Sequence, residues 1–203
     1  MGVRLVAFDL DGTLIRGRNA LAVLGAAFDR PEWVDRMEIL HMRGESPEQM
    51  RRRVAPWLTI PLAGRCHALA TASVAPGVDE AFRLLHERGV TTAIASISWD
   101  FIVEWFARRF GAAHWAAAGL GPDGTVTPFW PEDKGPWLEH LMTRLRLTRD
   151  EVAAVGDSPR DAALLRAAGH SFYVGSELPP ELRGTCHRPD GDLAVVARAI
   201  LRC

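Results

Sequence analysis

The chain has 203 residues, of which 48% are hydrophobic and 24% charged, and a formal net charge of -1. That balance leaves no basic footprint for nucleic acid or an anionic membrane surface, and no apolar run approaches the roughly 20 residues needed to span a bilayer. Cys66, Cys186 and Cys203 lack ligand-like spacing and read as reduced thiols; a strand-like start argues against a signal peptide, so a cytoplasmic protein is expected.

The apolar run beginning at Val3 predicts a buried strand over residues 3–9, followed by Asp9-Leu10-Asp11-Gly12-Thr13. Two carboxylates one residue apart repel each other when ionised, so a compensating partner is required. From about Leu21 to Val74 the pattern is helical. Trp33, Met37 and Leu40 fall at i, i+4 and i+7 and predict one face of a helix. Ser46-Pro47-Glu48-Gln49 has the form of a capping box with proline at the first helical position, and Met50, Val54 and Trp57 continue that helix. Arg51-Arg52-Arg53 reads as its solvated face.

Pro76-Gly77 then punctuates the chain. Beyond it, helices are predicted over 78–87, 99–110, 135–145, 159–168 and 192–201. Strands are predicted over 90–96, 114–117, 152–156 and 171–174, with a turn at Pro122-Asp123-Gly124. This alternation predicts an α/β fold with a mainly parallel sheet. Residues 1–15 and 76–203 form the expected core, and residues 16–75 read as a helical insertion after the first strand.

Functional groups in open α/β sheets gather beyond the carboxyl ends of the strands. Asp9 and Asp11 follow the first strand, Ser96 follows the apolar run Ala93-Ile94-Ala95, and Asp157 to Asp161 follow the strand at 152–156. Lys134 opens a helix, where its charge opposes the macrodipole unless an anion sits nearby. Carboxylates hold a hard cation such as Mg2+, and one of them can attack phosphorus while another moves the proton. Each group has a plainer reading taken alone. Asp-x-Asp-Gly is commonly a turn, Ser158-Pro159-Arg160-Asp161 also fits a capping box, and Ser98 competes with Ser96.

Taken together, Asp9-Leu10-Asp11-Gly12-Thr13, Ser96, Lys134 and Gly156-Asp157-Ser158-Pro159-Arg160-Asp161 resemble, in order, the four motifs of the haloacid dehalogenase superfamily of phosphohydrolases. The resemblance spans nearly the whole chain. It implies a Rossmann-like three-layer α/β/α core, with residues 16–75 as a small helical cap that closes over the site. It also implies a Mg2+-dependent phosphatase acting on a small phosphorylated metabolite through an aspartyl-phosphate.

Asp9 would be nucleophile and metal ligand, and Asp11 general acid/base and metal ligand through its carbonyl. Asp157 would be the third metal ligand, with Asp161 in the outer shell. Ser96, Lys134 and Thr13 would serve the phosphate. The cap is most similar to that of the phosphoserine phosphatase branch, with Arg53 standing before Val54. The acidic residue of that branch after the first motif is absent, and Arg16-Gly17-Arg18 stands there instead. Arg53, Arg16 and Arg18 are candidate substrate contacts, although a helix-face or loop arginine explains each equally well, and Trp99 is a candidate pocket wall. Two rival functions are a phosphomutase acting on sugar phosphates and a non-enzymatic phosphoacceptor signalling domain. The helical insertion and the serine at the end of the middle strand argue against the second.

Overall fold

The computed structural model describes residues 2–189 and 191–203. The strands are Leu5–Phe8 (β1), Thr91–Trp99 (β2), His114–Leu120 (β3), Val126–Thr127 (β4), Val152–Gly156 (β5), His170–Tyr173 (β6) and Cys186–His187 (β7). They form one sheet in the order β4-β3-β2-β1-β5-β6-β7. Each neighbouring pair is parallel except β3 and β4, which meet antiparallel across the turn at Pro122-Asp123-Gly124.

Strand alternation builds the layers. Val6 and Phe8 point to one face, where they meet Phe82 of α5 (Val78–Glu87), Phe106 of α6 (Asp100–Phe110) and Val196 of α9 (Leu193–Ile200). Leu5 and Ala7 point to the other face, toward Leu138 of α7 (Lys134–Leu145) and Leu164 of α8 (Ala162–Ala167). The result is a three-layer α/β/α core. β1 lies in its middle, buried on both faces, which explains its unbroken apolar run.

Between β1 and α5 lie α1 (Ala20–Ala27), α2 (Trp33–Met37), α3 (Pro47–Leu58) and α4 (Leu62–Leu69). The outgoing and returning chains are paired. The Arg16 N–H donates to the Ser73 carbonyl at 2.8 Å, and the Ala75 N–H to the Leu14 carbonyl at 2.9 Å. The segment therefore leaves and rejoins the core at one point, close to residues 15 and 74.

Ser46 caps α3 as its spacing predicts: the Gln49 N–H donates to Ser46 Oγ, and the Ser46 N–H to Gln49 Oε1. The single helix expected through Trp33, Met37 and Leu40 is broken. α2 ends at Met37, Glu38 is extended with ψ 120°, and a 3-10 turn covers Ile39–Met42. Periodicity cannot detect this break, because Met37 and Ile39 are both buried by the insertion's packing rather than by one helical face. β7 was not expected; two residues are too few for a periodic signal. Among the described residues no helix is long and apolar enough to cross a membrane.

Candidate active site

The carboxyl ends of β1, β2 and β5 converge on a cavity of about 310 Å³. Asp9 follows β1 directly, and its N–H donates to the Val155 carbonyl of β5 at 2.9 Å, so sheet pairing extends into the site. Lys134, the first residue of α7, is buried to 1% exposure. Its Nζ donates to Asp9 Oδ1 and to Asp161 Oδ1, both at 2.7 Å. The lysine reading as a surface charge is thereby excluded. Burial alone would lower the Lys134 pKa, but Asp9 and Asp161 outweigh it, and the ammonium is held more firmly protonated than usual.

Carboxylate oxygens of Asp9, Asp157 and Asp161 all lie within 4.8 Å of one another. Burial is the main cause that pushes the Asp9 carboxyl well above the ordinary range, and Asp161 adds to it. Burial and Asp161 likewise push Asp157 from 3.8 up to about 6. Three carboxylate oxygens crowded in this way are a donor set for a hard cation.

Gly12 makes this crowding possible. Its φ is +94°, and a Cβ there would stand 2.2 Å from Asp157 Oδ2. The backbone of the first loop and the Asp157 carboxylate approach as closely as they do because no side chain intervenes.

Asp11 faces elsewhere. Its Oδ1 accepts from the Ala20 N–H at 2.7 Å and its Oδ2 from Ser98 Oγ at 2.6 Å. The side chain is thus kept out of the Asp9–Asp157–Asp161 cluster but still lines the cavity. Burial raises its pKa, and the Ser98 and Ala20 hydrogen bonds oppose that rise. The two neighbouring carboxylates of the first motif have different surroundings and so are prepared for different work.

Ser96 and Ser98 both line the cavity because β2 is irregular there. Ala95 pairs with Ala116 and Trp99 with Ala118, so four steps along β2 oppose two along β3. This bulge lifts residues 96–98 out of the ladder. The Ser98 N–H donates to Ser96 Oγ at 3.1 Å, while the Ser98 hydroxyl holds Asp11. Of the two serines, Ser98 is the one whose hydroxyl contacts Asp11.

Thr13 is fully buried, and its hydroxyl donates to Asp157 Oδ1 at 3.1 Å. It orients a carboxylate of the acidic cluster, and Thr13 is not among the residues that line the cavity. Asp161 Oδ2 accepts from the N–H groups of Asp157 and Ser158, each at 3.0 Å, so the capping-box reading and a place in the acidic cluster hold together. Trp99 lines the cavity as expected.

The three candidate arginines are not brought to the cavity. Arg53 pairs with Glu45 in a separate surface recess, as a stabilising contact within the insertion. Arg16 and Arg18 line another recess, with Thr71 and Ser73, where the chain enters and leaves the insertion. Arg16 Nε and Nη2 are buried without a hydrogen-bond partner among the described residues, and against the larger effect of burial, which raises the Asp157 pKa, the Arg16 charge lowers it. Sequence reasoning missed Asn19, Leu21, Met37, Glu38 and Ile39, which the insertion contributes to the cavity wall, and Arg160. Arg160 stood in the last motif and was legible as a strand-end residue; Glu38 carries no local signal, since it sits in the break after α2.

A family model for the haloacid dehalogenase-like hydrolases matches residues 3–169. The chain is 27% identical over 189 residues to phosphoserine phosphatase SerB2 of Mycobacterium tuberculosis, covering 89% of this chain and 46% of that protein. It therefore spans about half the length of that relative. It is 23% identical over 175 residues to the phosphoserine phosphatase of Methanocaldococcus jannaschii, covering 82% of each. A solved structure of a phospho-aspartyl intermediate analogue of phosphoserine phosphatase superposes with a TM-score of 0.72 at 20% identity. That match covers 100% of this chain and 99% of the other and extends the likeness in fold to the whole chain.

Proposed function

This chain belongs to the haloacid dehalogenase-like hydrolases, and we propose that it is a Mg2+-dependent phosphatase that hydrolyses a small phosphomonoester through an aspartyl-phosphate on Asp9. The observation that carries this reading is the division between the two carboxylates of the first motif. Asp9 stands in the acidic cluster on Lys134, and Asp11 is held apart by Ser98 and Ala20.

The oxygen-only donor set of Asp9 and Asp157, with the Asp11 carbonyl, suits Mg2+. Asp161, committed to Lys134 and two backbone N–H groups, supports from the outer shell. When bound, the cation supplies Lewis-acid neutralisation of phosphoryl charge. Asp9 attacks phosphorus through the carboxylate oxygen that Lys134 leaves free, and the ester P–O bond breaks. Asp11, its proton affinity raised by burial, gives a proton to the departing oxygen. Asp11 then takes a proton from water as that water attacks phosphorus, which releases inorganic phosphate and restores the Asp9 carboxylate. Lys134 and Ser96 hold the phosphoryl oxygens as charge builds on them. Residues 16–75 act as the cap: Leu21, Met37 and Ile39 wall the cavity and exclude bulk water. The small cavity supports a small leaving group, and the named relatives, both phosphoserine phosphatases, support the phosphomonoester class.

The test is phosphate release from p-nitrophenyl phosphate. EDTA abolishes turnover and Mg2+ restores it, and Asp9→Asn eliminates turnover while circular dichroism stays that of wild type. Full turnover by a folded Asp9→Asn protein refutes the mechanism. Isomerised sugar phosphate without free phosphate indicates a mutase, and an aspartyl-phosphate lasting minutes indicates a signalling domain.

A further inference from the structure

The cavity contains an ion pair that the phosphoryl chemistry leaves unused. Arg160 Nη1 stands 2.9 Å from Glu38 Oε1, and both residues line the cavity. Arg160 comes from the turn after β5, and Glu38 from the break after α2. The pair therefore joins the core to the insertion at the cavity wall. Among the described cavity residues Lys134 and Arg160 are the two cations, and Lys134, on Asp9 and Asp161, serves the phosphoryl group, which leaves Arg160 for the rest of the ligand.

The two partners are not equivalent. Glu38 has a second neighbour, since its Oε2 lies 3.7 Å from His41 Nε2. Glu38 is the one partner of Arg160 among the described residues. The Arg160 side chain is 53% exposed and that of Glu38 is 24% exposed, so water screens the pair and holds it weakly. An anion that displaces Glu38 leaves it beside His41. A cation that takes Glu38 leaves the Arg160 guanidinium unpaired and adjacent to the new charge, which is repulsive. Much of the remaining wall is apolar, with Leu21, Met37, Ile39, Ile97 and Trp99.

On the reading of the site as a phosphatase, we propose that Arg160 is the specificity-determining residue for the leaving group, selecting one that bears a carboxylate and exchanging Glu38 for it. The guanidinium fork matches a carboxylate in two parallel hydrogen bonds, and the apolar wall accepts the carbon atoms between the carboxylate and the phosphate.

Three esters of similar size separate the possibilities: 2-phosphoglycolate carries a carboxylate, ethyl phosphate a methyl group, and phosphoethanolamine an ammonium. Wild-type kcat/KM is expected to be about tenfold higher for 2-phosphoglycolate than for ethyl phosphate, with phosphoethanolamine lowest; screening sets the low end of a charged hydrogen bond's effect. In Arg160→Gln that ratio falls to about one, mainly through KM, whereas Arg160→Lys retains part of it. Glu38→Gln lowers KM for 2-phosphoglycolate, because the guanidinium no longer has to be vacated. Using a ratio within one protein removes general losses of activity, and circular dichroism checks folding. A wild-type ratio near one, a preference for phosphoethanolamine, or a ratio unchanged by Arg160→Gln overturns the assignment while leaving the phosphatase reading intact. Absence of turnover on all three esters and on p-nitrophenyl phosphate overturns both.

Discussion

Replacing Lys134 with methionine keeps most of the side-chain volume and removes the ammonium. In the wild type that group is buried and lies 2.7 Å from both Asp9 and Asp161. Among the described residues, its loss leaves Asp9, Asp157 and Asp161 clustered with no cation in hydrogen-bonding contact. Breaking a buried ion pair from one side costs about 3–5 kcal/mol. The protein can reduce that cost by protonating a carboxylate, and Asp9 and Asp157 already have raised pKa values, chiefly from burial. A carboxyl whose folded pKa exceeds its unfolded value binds more protons in the folded state, so stability falls as pH rises through the interval between the two. The destabilisation of Lys134→Met is therefore larger at pH 8 than at pH 5. At about 2–4 °C per kcal/mol for a chain of this size, Tm drops by roughly 10 °C at pH 8 and by about half as much at pH 5. Calorimetric melts in EDTA at both pH values measure this, and added Mg2+ recovers part of the deficit. An unchanged Tm at pH 8, or a deficit that grows toward pH 5, refutes Lys134 as the neutralising partner of the cluster.

Ser98→Ala removes a 2.6 Å hydrogen bond that favours ionised Asp11. The limb of the pH–rate profile that Asp11 governs moves to higher pH; an unmoved limb means that Ser98 only packs. Gly12→Ala places a Cβ 2.2 Å from Asp157 Oδ2 at a φ of +94°. The Mg2+ concentration needed for half-maximal activity rises at least about tenfold, and an unchanged requirement counts against Asp157 as a ligand. Asp157, raised from 3.8 to about 6, holds a proton in the folded state that the unfolded chain releases, so metal-free stability declines as pH rises through that window. Mg2+ needs the ionised carboxylate, so its stabilising effect grows over the same window, by on the order of 1 kcal/mol once solvent screening is allowed for. Thermal shifts with and without Mg2+ at pH 5 and pH 7.5 test this, and equal shifts contradict it.

The amino-acid order alone carried the alternation of strands and helices, the capping box at Ser46, and the positions of Asp9, Ser96, Lys134 and Asp157. These features are local: each depends on a periodic apolar stripe, a strand end or a turn residue, and each reads within a dozen or so neighbours. The family resemblance added the ordering of the four motifs and the roles expected of them.

The partners of those residues were decided by the tertiary structure. Ser98 holds Asp11 because a bulge in β2 turns residues 96–98 toward a loop that begins far earlier in the chain. Thr13 points at Asp157 and not into the cavity because β1 and β5 are neighbours in the sheet. Arg53, attractive beside Val54, is held by Glu45 outside the cavity, whereas Glu38, in a break that periodicity read as continuous helix, reaches Arg160. Hydrophobic pattern determines which face of an element is buried; which charges meet across the site depends on strand order, register and the path of the insertion, and these follow from packing over the whole chain.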